Sequence, residues 1–158
     1  MKKMQNKNYF VILIFVFIFL MGFFLVSYAS KNLAIEGFKN IKYVQIAGQN
    51  VKVDLALTSA EHSRGLSGRS ILNKDEGMLF VFVKSGRYYF WMKEMNFPID
   101  IVWFTKDMKI IYIKKNANPL LYPETYGPSV NSKYVLEVPA GFADKNNLKV
   151  GDNVLFTY

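Results

Sequence analysis

The stretch from Gly77 to Phe104, GMLFVFVKSGRYYFWMKEMNFPIDIVWF, constrains the fold more than any other part of this sequence. Its apolar runs are too short and too interrupted for helices, whereas aromatic and β-branched residues suit a pleated, half-buried surface. The pattern predicts three strands, Met78–Val83, Arg87–Met92 and Ile99–Phe104. The first two would form a hairpin about Lys84-Ser85-Gly86, because a short connection containing glycine is typical of hairpin turns.

Further short strands are predicted on both sides of this stretch. Apolar residues alternate with other residues over Val51–Leu57, which indicates a strand with one buried face. Thr58 and Glu61 form a capping box that begins a short helix ending at Gly65. The remaining predicted elements are strands at Ile41–Ala47, Lys109–Lys114, Tyr134–Pro139 and Asn153–Thr157, a long loop at Asn116–Asn131 and a helical turn within Ala140–Asn147. With no βαβ alternation and no repeat, we expect an all-β fold, a compact β-sandwich or barrel-like domain with one or two short helices.

The N-terminus carries an apolar run, Phe10–Val26, that contains no charged residue. A helix of about 20 residues crosses the ~30 Å hydrocarbon core of a bilayer, so this run predicts a single transmembrane helix ahead of the β domain. Basic residues flanking a membrane span stay on the cytoplasmic side. The chain after Ser30 is therefore expected outside the cytoplasm, because basic side chains precede the run at Lys2, Lys3 and Lys7.

A cleaved signal peptide is the alternative interpretation of the same segment. Ser27-Tyr28-Ala29 is a small-x-small triplet of the kind that precedes a cleavage site. The apolar run is longer than the core of an ordinary signal peptide, which favours a retained anchor. We therefore expect residues 1–30 to be an anchor or signal segment, 31–40 a linker and 41–158 the exported domain. The protein would be a single-pass protein of the plasma membrane, or secreted if cleaved after Ala29.

Composition limits the chemistry that the chain can perform. Cysteine is absent, so disulfides and thiolate chemistry play no part. Three of the 20 basic side chains precede the apolar run, and the remaining 17 face 12 acidic side chains without any run of five or more basic residues. A nucleic-acid partner is therefore not expected. The expected partners are the lipid bilayer, through the N-terminal helix, and an unidentified ligand or protein of the cell envelope.

The segment Glu61–Ser70, EHSRGLSGRS, places basic side chains around two glycines. Arginine side chains and the backbone N–H groups of such a loop suit a carboxylate or phosphate ligand. The segment also suits an ordinary connection whose arginines pair with nearby acidic residues, and we favour that interpretation. His62 is the only histidine, which excludes a histidine-rich metal site, and no GxSxG motif supports a Ser-His-Asp triad.

Two carboxylates lie within apolar strands, Asp100 between isoleucines and Glu137 between Leu136 and Val138. Alternation sends each side chain to the face opposite its apolar neighbours, and a covered face requires a hydrogen-bond donor. We therefore predict that Arg64 and Arg69 lie near Asp100 or Glu137 in a structural polar network, in which a carboxylate bonds to an arginine or to backbone N–H groups of the Gly65–Gly68 loop. The alternative is an acid/base pair like that of glycoside hydrolases.

The aromatic strand offers a further candidate surface. Tyr88 and Phe90 share one face and Tyr89 and Trp91 the other, so one pair must be exposed or covered by a second sheet. An exposed pair would form a stacking platform for a sugar or a peptide. Thioether ligands suit a Cu(I) site, but methionines in apolar runs usually fill cores, and we favour that interpretation here. The residues of this candidate copper site are Met78, Met92, Met95 and His62. We expect no metal and no cofactor.

Five sequence blocks occur in the order and spacing of a known family: GLSGR (65–69), GMLFVF (77–82), FWMK (90–93), PIDI (98–101) and LEVPAGFADKNNLKVGD (136–152). Over roughly Ile41–Tyr158 the chain resembles the domain-of-unknown-function family 192, also called uncharacterised protein family 0127. The resemblance implies a small β-sandwich-like or barrel-like domain, often exported, without an established activity. Family members usually carry Asn after the FWMK block, whereas this chain has Glu94.

Together these observations favour a ligand-binding or interaction module of the cell envelope. The candidate ligand-binding residues are Arg64, Gly65, Arg69, Trp91, Lys93, Asp100 and Glu137. The alternative is a hydrolase of envelope polymers that uses Asp100 and Glu137. Catalytic nucleophile, metal and cofactor motifs are missing from the sequence, which favours the binding module.

Overall fold

The computed structural model describes residues 2–158, with the side chains of residues 9–30 and 35–158. Helix α1 (Lys2–Glu36) and the β domain (Phe38–Tyr158) form separate units. Within α1, Tyr9–Ser30 is a stretch of 22 residues that is apolar and long enough to cross a membrane. The segment expected to be a linker, 31–40, is helical through Glu36 and continues as a turn. The side chains of Lys2, Lys3 and Lys7 lie outside the described side chains.

The β domain is a mostly β-sheet half-barrel with few short helices, which confirms the all-β prediction. The seven strands of its main sheet are β1 (Tyr43–Ile46), β2 (Gln49–Ala56), β3 (Glu76–Gly86), β5 (Ile99–Phe104), β6 (Ile110–Ala117), β8 (Ser132–Pro139) and β9 (Val154–Thr157). Their order across the sheet is β6-β5-β8-β3-β2-β1-β9. A separate sheet pairs β4 (Phe90–Trp91) with β7 (Thr125–Tyr126). Two short helices, α2 (Ser59–Arg64) and α3 (Phe142–Lys145), and a 3₁₀ turn (Pro119–Leu121) complete the fold.

The main sheet curls until its two edges meet at one end. The first residue of β6 bonds the segment before β9, with the Ile110 N–H donating to the Asp152 carbonyl at 3.0 Å. Val154 in turn donates to the Met108 carbonyl at 2.9 Å. This contact partly closes the sheet and pairs backbone groups that an open edge would leave unsatisfied.

Each face of the curled sheet carries its own apolar core. The inner core is enclosed by the half-barrel and includes Leu79, Phe104 and Leu136, with Phe142 from α3 packed against it. The outer core lies on the opposite face. Because both faces of β3, β5 and β8 are covered, these strands are near-continuous runs of buried residues.

The outer core is covered by chain segments that lie outside the main sheet. Leu66 and Leu72 come from the connection between β2 and β3, and Met92 comes from the segment between β3 and β5. Trp103 of β5 is fully buried beneath this cover, and its indole N–H donates to the Tyr88 carbonyl at 2.8 Å. That bond satisfies the indole N–H in the core and holds the aromatic segment 88–91 against the sheet.

The predicted hairpin about Lys84-Ser85-Gly86 is wrong. Those residues belong to β3, which continues to Gly86 and pairs there with Ser132 of β8. The aromatic run predicted as the return strand contributes only β4, which pairs with β7 in the small sheet. Glycine at the end of the long strand resembles a turn residue in sequence, although the chain does not reverse onto β3 there.

The fold contains one βαβ unit, which the sequence pattern did not predict. Strands β2 and β3 are parallel neighbours, with Leu55 opposite Leu79, and α2 lies in the connection between them. A parallel pair needs such a crossover because the chain must return to the end of the sheet at which the first strand began. The connection therefore passes over the outer face, where it carries the segment Glu61–Ser70 onto the outer core.

Candidate functional site

A cavity of about 210 Å³ lies on the outer face of the half-barrel, between α2 and the aromatic segment 88–91. We call it the aromatic pocket. Half of its 14 lining residues carry ring side chains, and a carboxylate, Glu137, belongs to the lining. The lining also includes Arg64 and Gly65 at the end of α2, and its rings include Phe80, Tyr89 and Trp91.

Helix α2 forms one side of the aromatic pocket because its start and its end are both fixed. The Thr58 hydroxyl accepts from the Glu61 N–H, and the Glu61 carboxylate accepts from the Thr58 N–H, which confirms the predicted capping box. The backbone N–H groups of Leu57 and Thr58, which both donate to the Glu61 carboxylate, lower the pKa of Glu61. Gly65 ends the helix at φ +50°, a conformation that glycine adopts readily.

The glycine at position 65 also leaves room for the groups behind it. A Cβ atom there would lie 3.3 Å from the Phe80 ring and 3.9 Å from Oε2 of Glu137. A larger side chain would crowd the Phe80 ring and project toward the carboxylate. Gly65 therefore serves both the backbone turn and the space beside Glu137.

The opposite wall of the pocket comes from the aromatic segment 88–91. Tyr88 stacks on Phe82 with ring centroids 3.5 Å apart, and Phe90 packs edge-on against Phe80 at 4.8 Å. Alternation then turns the other pair outward, so that Tyr89 is 57% exposed and Trp91 51% exposed. The outward pair predicted as a stacking platform is therefore Tyr89 and Trp91.

Glu137 of β8 points to the outer face, opposite Leu136 and Val138 as alternation predicts. The residue is only 4% exposed, and its Oε2 atom is buried without a hydrogen-bond partner among the described residues. Burial raises the pKa of Glu137 to about 8, and the positive charge of Arg69 opposes this shift only in part. The carboxyl group is therefore mostly neutral at pH 7.

The two arginines do not form the predicted network around the carboxylates. Arg69 donates to the side chain of Asp54 and reaches Glu137 through its charge alone. Arg64 is an exposed residue that lines the aromatic pocket beside Glu137, without a hydrogen bond to it. Both arginines thus lie near Glu137 as predicted, but the structural bonding expected between them and Glu137 is wrong.

Asp100 lies on the other face of the sheet, because its partner in the β5–β8 register is Val138 whereas Glu137 pairs with Ile101. It is 1% exposed, and its oxygens accept from the N–H groups of Asn116 and Ala143, each at 2.8 Å. Asn116 lies at an irregularity in the β5–β6 pairing, and Ala143 lies in α3, where a side-chain cap is absent. Asp100 thus satisfies backbone donors of a bulge and a helix start rather than an arginine.

The placement of the two carboxylates on opposite faces of the sheet excludes the alternative acid/base pair. In a glycoside hydrolase both carboxyl groups flank one scissile bond, about 5–9.5 Å apart on one open cleft. Here the sheet itself lies between Asp100 and Glu137, and both oxygens of Asp100 are bound to backbone groups. Asp100 therefore does not belong to the aromatic pocket.

Lys93 is also outside the aromatic pocket. Its exposed ammonium group lies 3.7 Å from the Glu94 carboxylate, and its carbonyl accepts from the Ser67 hydroxyl at 2.8 Å. Glu94 has φ +55°, a left-handed conformation in which Asn is favoured over Glu. The backbone at this position therefore suits the Asn that the family resemblance implies.

Several pocket residues were absent from the set of candidate ligand-binding residues. His62 lines the pocket, with its Nε2 atom 3.0 Å from the Ala56 carbonyl and its ring 4.5 Å from Phe82. The alternation at 88–91 was visible in the sequence, whereas the packing of the β2–β3 crossover against that segment was not.

Met78 and Met92, two of the candidate copper ligands, are buried in the outer core. Among the described side chains, no group of three or more His, Asp or Glu could hold a metal ion.

We predict a pH dependence of stability that arises from Glu137. Between pH 4.5, its ordinary pKa, and about 8, the folded state keeps a proton that the unfolded chain has lost. The contribution of Glu137 to the free energy of unfolding is therefore complete below pH 4.5. It falls as pH rises toward 8, by at most about 1.4 kcal/mol per pH unit. In urea unfolding of the full chain in detergent, Glu137→Gln should flatten this slope. Glu94→Gln, at an exposed position, should leave it unchanged; equal slopes in all three proteins would contradict the assignment.

The comparisons with known proteins agree with this architecture. The model of the domain-of-unknown-function family 192, DUF192 (uncharacterized ACR), matches residues 42–156. A protein of unknown function from Novosphingobium aromaticivorans DSM 12444 has a similar structure, with a TM-score of 0.69 and 31% identity over 73% of this chain and 84% of that one. A candidate transcription regulator from Sinorhizobium meliloti 1021 is similar with a TM-score of 0.67 and 27% identity, over 72% of this chain and 90% of that one. No curated protein matches the chain. The chain belongs to the domain-of-unknown-function family 192.

Proposed function

We propose that the β domain binds a small ligand in the aromatic pocket, with the Glu137 carboxyl group as its polar anchor. The observation that carries this proposal is the unpartnered Oε2 atom of Glu137, buried beside the cavity. Leaving a buried polar group without a hydrogen bond costs about 1–3 kcal/mol. A ligand group that bonds this carboxyl group would recover that cost, which a purely structural role of Glu137 would leave unexplained.

The composition of the pocket supports the same interpretation. Ligand sites are concave and mostly apolar, with a few polar groups that fix orientation. Here the apolar lining is mainly aromatic, Glu137 is a buried polar group, and Arg64 is an exposed residue of the lining. Of the candidate ligand-binding residues, Arg64, Gly65, Trp91 and Glu137 remain in the proposal. Arg69, Lys93 and Asp100 have other partners or positions.

We also propose that α1 tethers this binding domain to the plasma membrane, with the β domain outside the cytoplasm. The support is the length and apolar character of Tyr9–Ser30 together with the lysines that precede it in the sequence. Release after Ala29 would give a secreted form of the same domain.

The sidedness predicts the behaviour of reporter fusions. Alkaline phosphatase joined after Lys31 should be active, because this enzyme requires export to fold. β-Galactosidase joined at the same position should be inactive. The reverse pattern would place the β domain in the cytoplasm and contradict the proposed localisation.

Ligand binding predicts that small fragments occupy the aromatic pocket. A mixed library of neutral, cationic and anionic fragments would be screened against the full-length chain in detergent by saturation-transfer NMR. Fragments that bind in the pocket should lose about tenfold in affinity with Trp91→Ala and with Glu137→Leu, a loss of ~1.4 kcal/mol each. Trp91 is half exposed, so its truncation should not unfold the domain.

Leu120→Ala provides the matched control. Leu120 is more exposed than Trp91 and lies outside the lining of the pocket, so its truncation should leave fragment binding unchanged. A library in which no hit responds to Trp91→Ala or Glu137→Leu would contradict the proposed function.

A further inference from the structure

We propose that the ligand of the aromatic pocket is an uncharged sugar ring, which packs a C–H face on the exposed aromatic pair and bonds Glu137 through a hydroxyl group. This inference rests on the proposed function, because it names the ligand class of the same pocket. Three features of the pocket support it: its size, its exposed rings and the hydrogen-bonding capacity of its carboxyl group.

The size of the pocket matches a single six-membered ring. Its volume is about 210 Å³, below the ~300–1,000 Å³ of pockets for drug-sized ligands. A cavity of about 150 Å³ already holds benzene. The aromatic pocket therefore accommodates one ring with polar substituents, while the remainder of a larger glycan would extend into solvent.

The exposed rings provide a surface for such a ligand. Tyr89 and Trp91 lie on the same side of the aromatic segment, and both line the pocket. Gly127 lies under Tyr89, where a Cβ atom would come 2.8 Å from the Tyr89 ring and 2.8 Å from the Tyr88 carbonyl. Glycine is therefore required at 127, and the backbone there supports the Tyr89 ring in its exposed position.

The Glu137 carboxyl group distinguishes an uncharged ligand from a charged one. In its neutral form it offers one O–H donor and acceptor oxygens, and a hydroxyl group complements both. An ammonium ligand would need the ionised carboxylate in a pocket that Arg64 lines, while the charge of Arg69 already acts on Glu137. The other titratable groups of the lining are His62, Tyr88 and Tyr89, and the lining contains no second acidic group that would favour a cation.

The test measures binding of defined probes to the full-length chain in a polyoxyethylene detergent, which carries neither a sugar nor an amine. The probes are N,N′-diacetylchitobiose and cellobiose as uncharged sugars, phenethylamine as a cation and uracil as an uncharged planar heterocycle. ¹⁵N NMR reports binding at the pocket through the backbone resonances of Gly65 and Tyr89. We expect a sugar probe to shift these resonances, and the other two probes to leave them unchanged.

Variants at Glu137 and Trp91 identify the chemistry of the contact. Glu137→Gln keeps one donor and one acceptor without a charge, so sugar binding should stay within about threefold, whereas Glu137→Leu should lose about tenfold. Trp91→Ala should also lose about tenfold, and Leu120→Ala should have no effect. Sugar binding to the wild type should weaken above a pH of about 8, where Glu137 ionises and can no longer donate.

Contrary results would exclude either the sugar as ligand class or the aromatic pocket as the binding site. If phenethylamine binds, strengthens with pH and is lost in Glu137→Gln, the pocket binds cations and the sugar assignment is wrong while the proposed function stands. Binding of uracil alone also overturns the sugar assignment. Sugar binding that survives both Glu137→Leu and Trp91→Ala lies elsewhere and contradicts the inference. If no probe shifts the pocket resonances, the sugar assignment falls; if the fragment library then finds no pocket ligand, the proposed function falls as well.

Discussion

The apolar outer face of the half-barrel must be covered, and this requirement shapes the rest of the β domain. Trp103 and its neighbours on this face are fully buried, although the described part of the chain contains no second large sheet that packs on them. The cover comes from the β2–β3 crossover, the aromatic segment 88–91 and the small sheet of β4 and β7. Because these segments meet over the sheet as separate pieces, a cavity remains between them, and Glu137 lies at that cavity.

The two buried carboxylates lie on opposite faces of one sheet and differ in their hydrogen bonding. Asp100 faces the inner core, where two backbone N–H groups satisfy its oxygens and join β5 to the β6 bulge and to α3. Glu137 faces the outer core, where Oε2 has no partner among the described residues. A buried carboxyl group without a partner lowers stability, and proteins tolerate such costs mainly at sites that serve a function. The contrast therefore separates a structural acid from a candidate binding group.

Much of the fold could be predicted from the sequence, because alternation and turn residues are local signals. Such signals predict strands β2, β5 and β8 and the capping box of α2. They also predict that Asp100 and Glu137 each point to the face opposite their apolar neighbours. The register that puts Asp100 opposite Val138 is a long-range property, so the sequence could not reveal that the two acids occupy different faces. The aromatic run 87–92 has strand propensity, yet it covers the outer core rather than extending the main sheet. The aromatic pocket could not be predicted for the same reason: it arises where two distant segments meet.

The protonation of Glu137 is the most direct test of this account. With glutamate labelled by ¹³C at the carboxyl carbon, NMR can follow the Glu137 resonance from a pH of about 4 to about 10, assigned by its absence in Glu137→Gln. We expect a titration midpoint near pH 8, because the carboxyl group is buried without a hydrogen-bond partner for Oε2 among the described residues. A midpoint near the ordinary value of 4.5 would mean that the carboxylate is solvated or paired, and would contradict the central role assigned to Glu137.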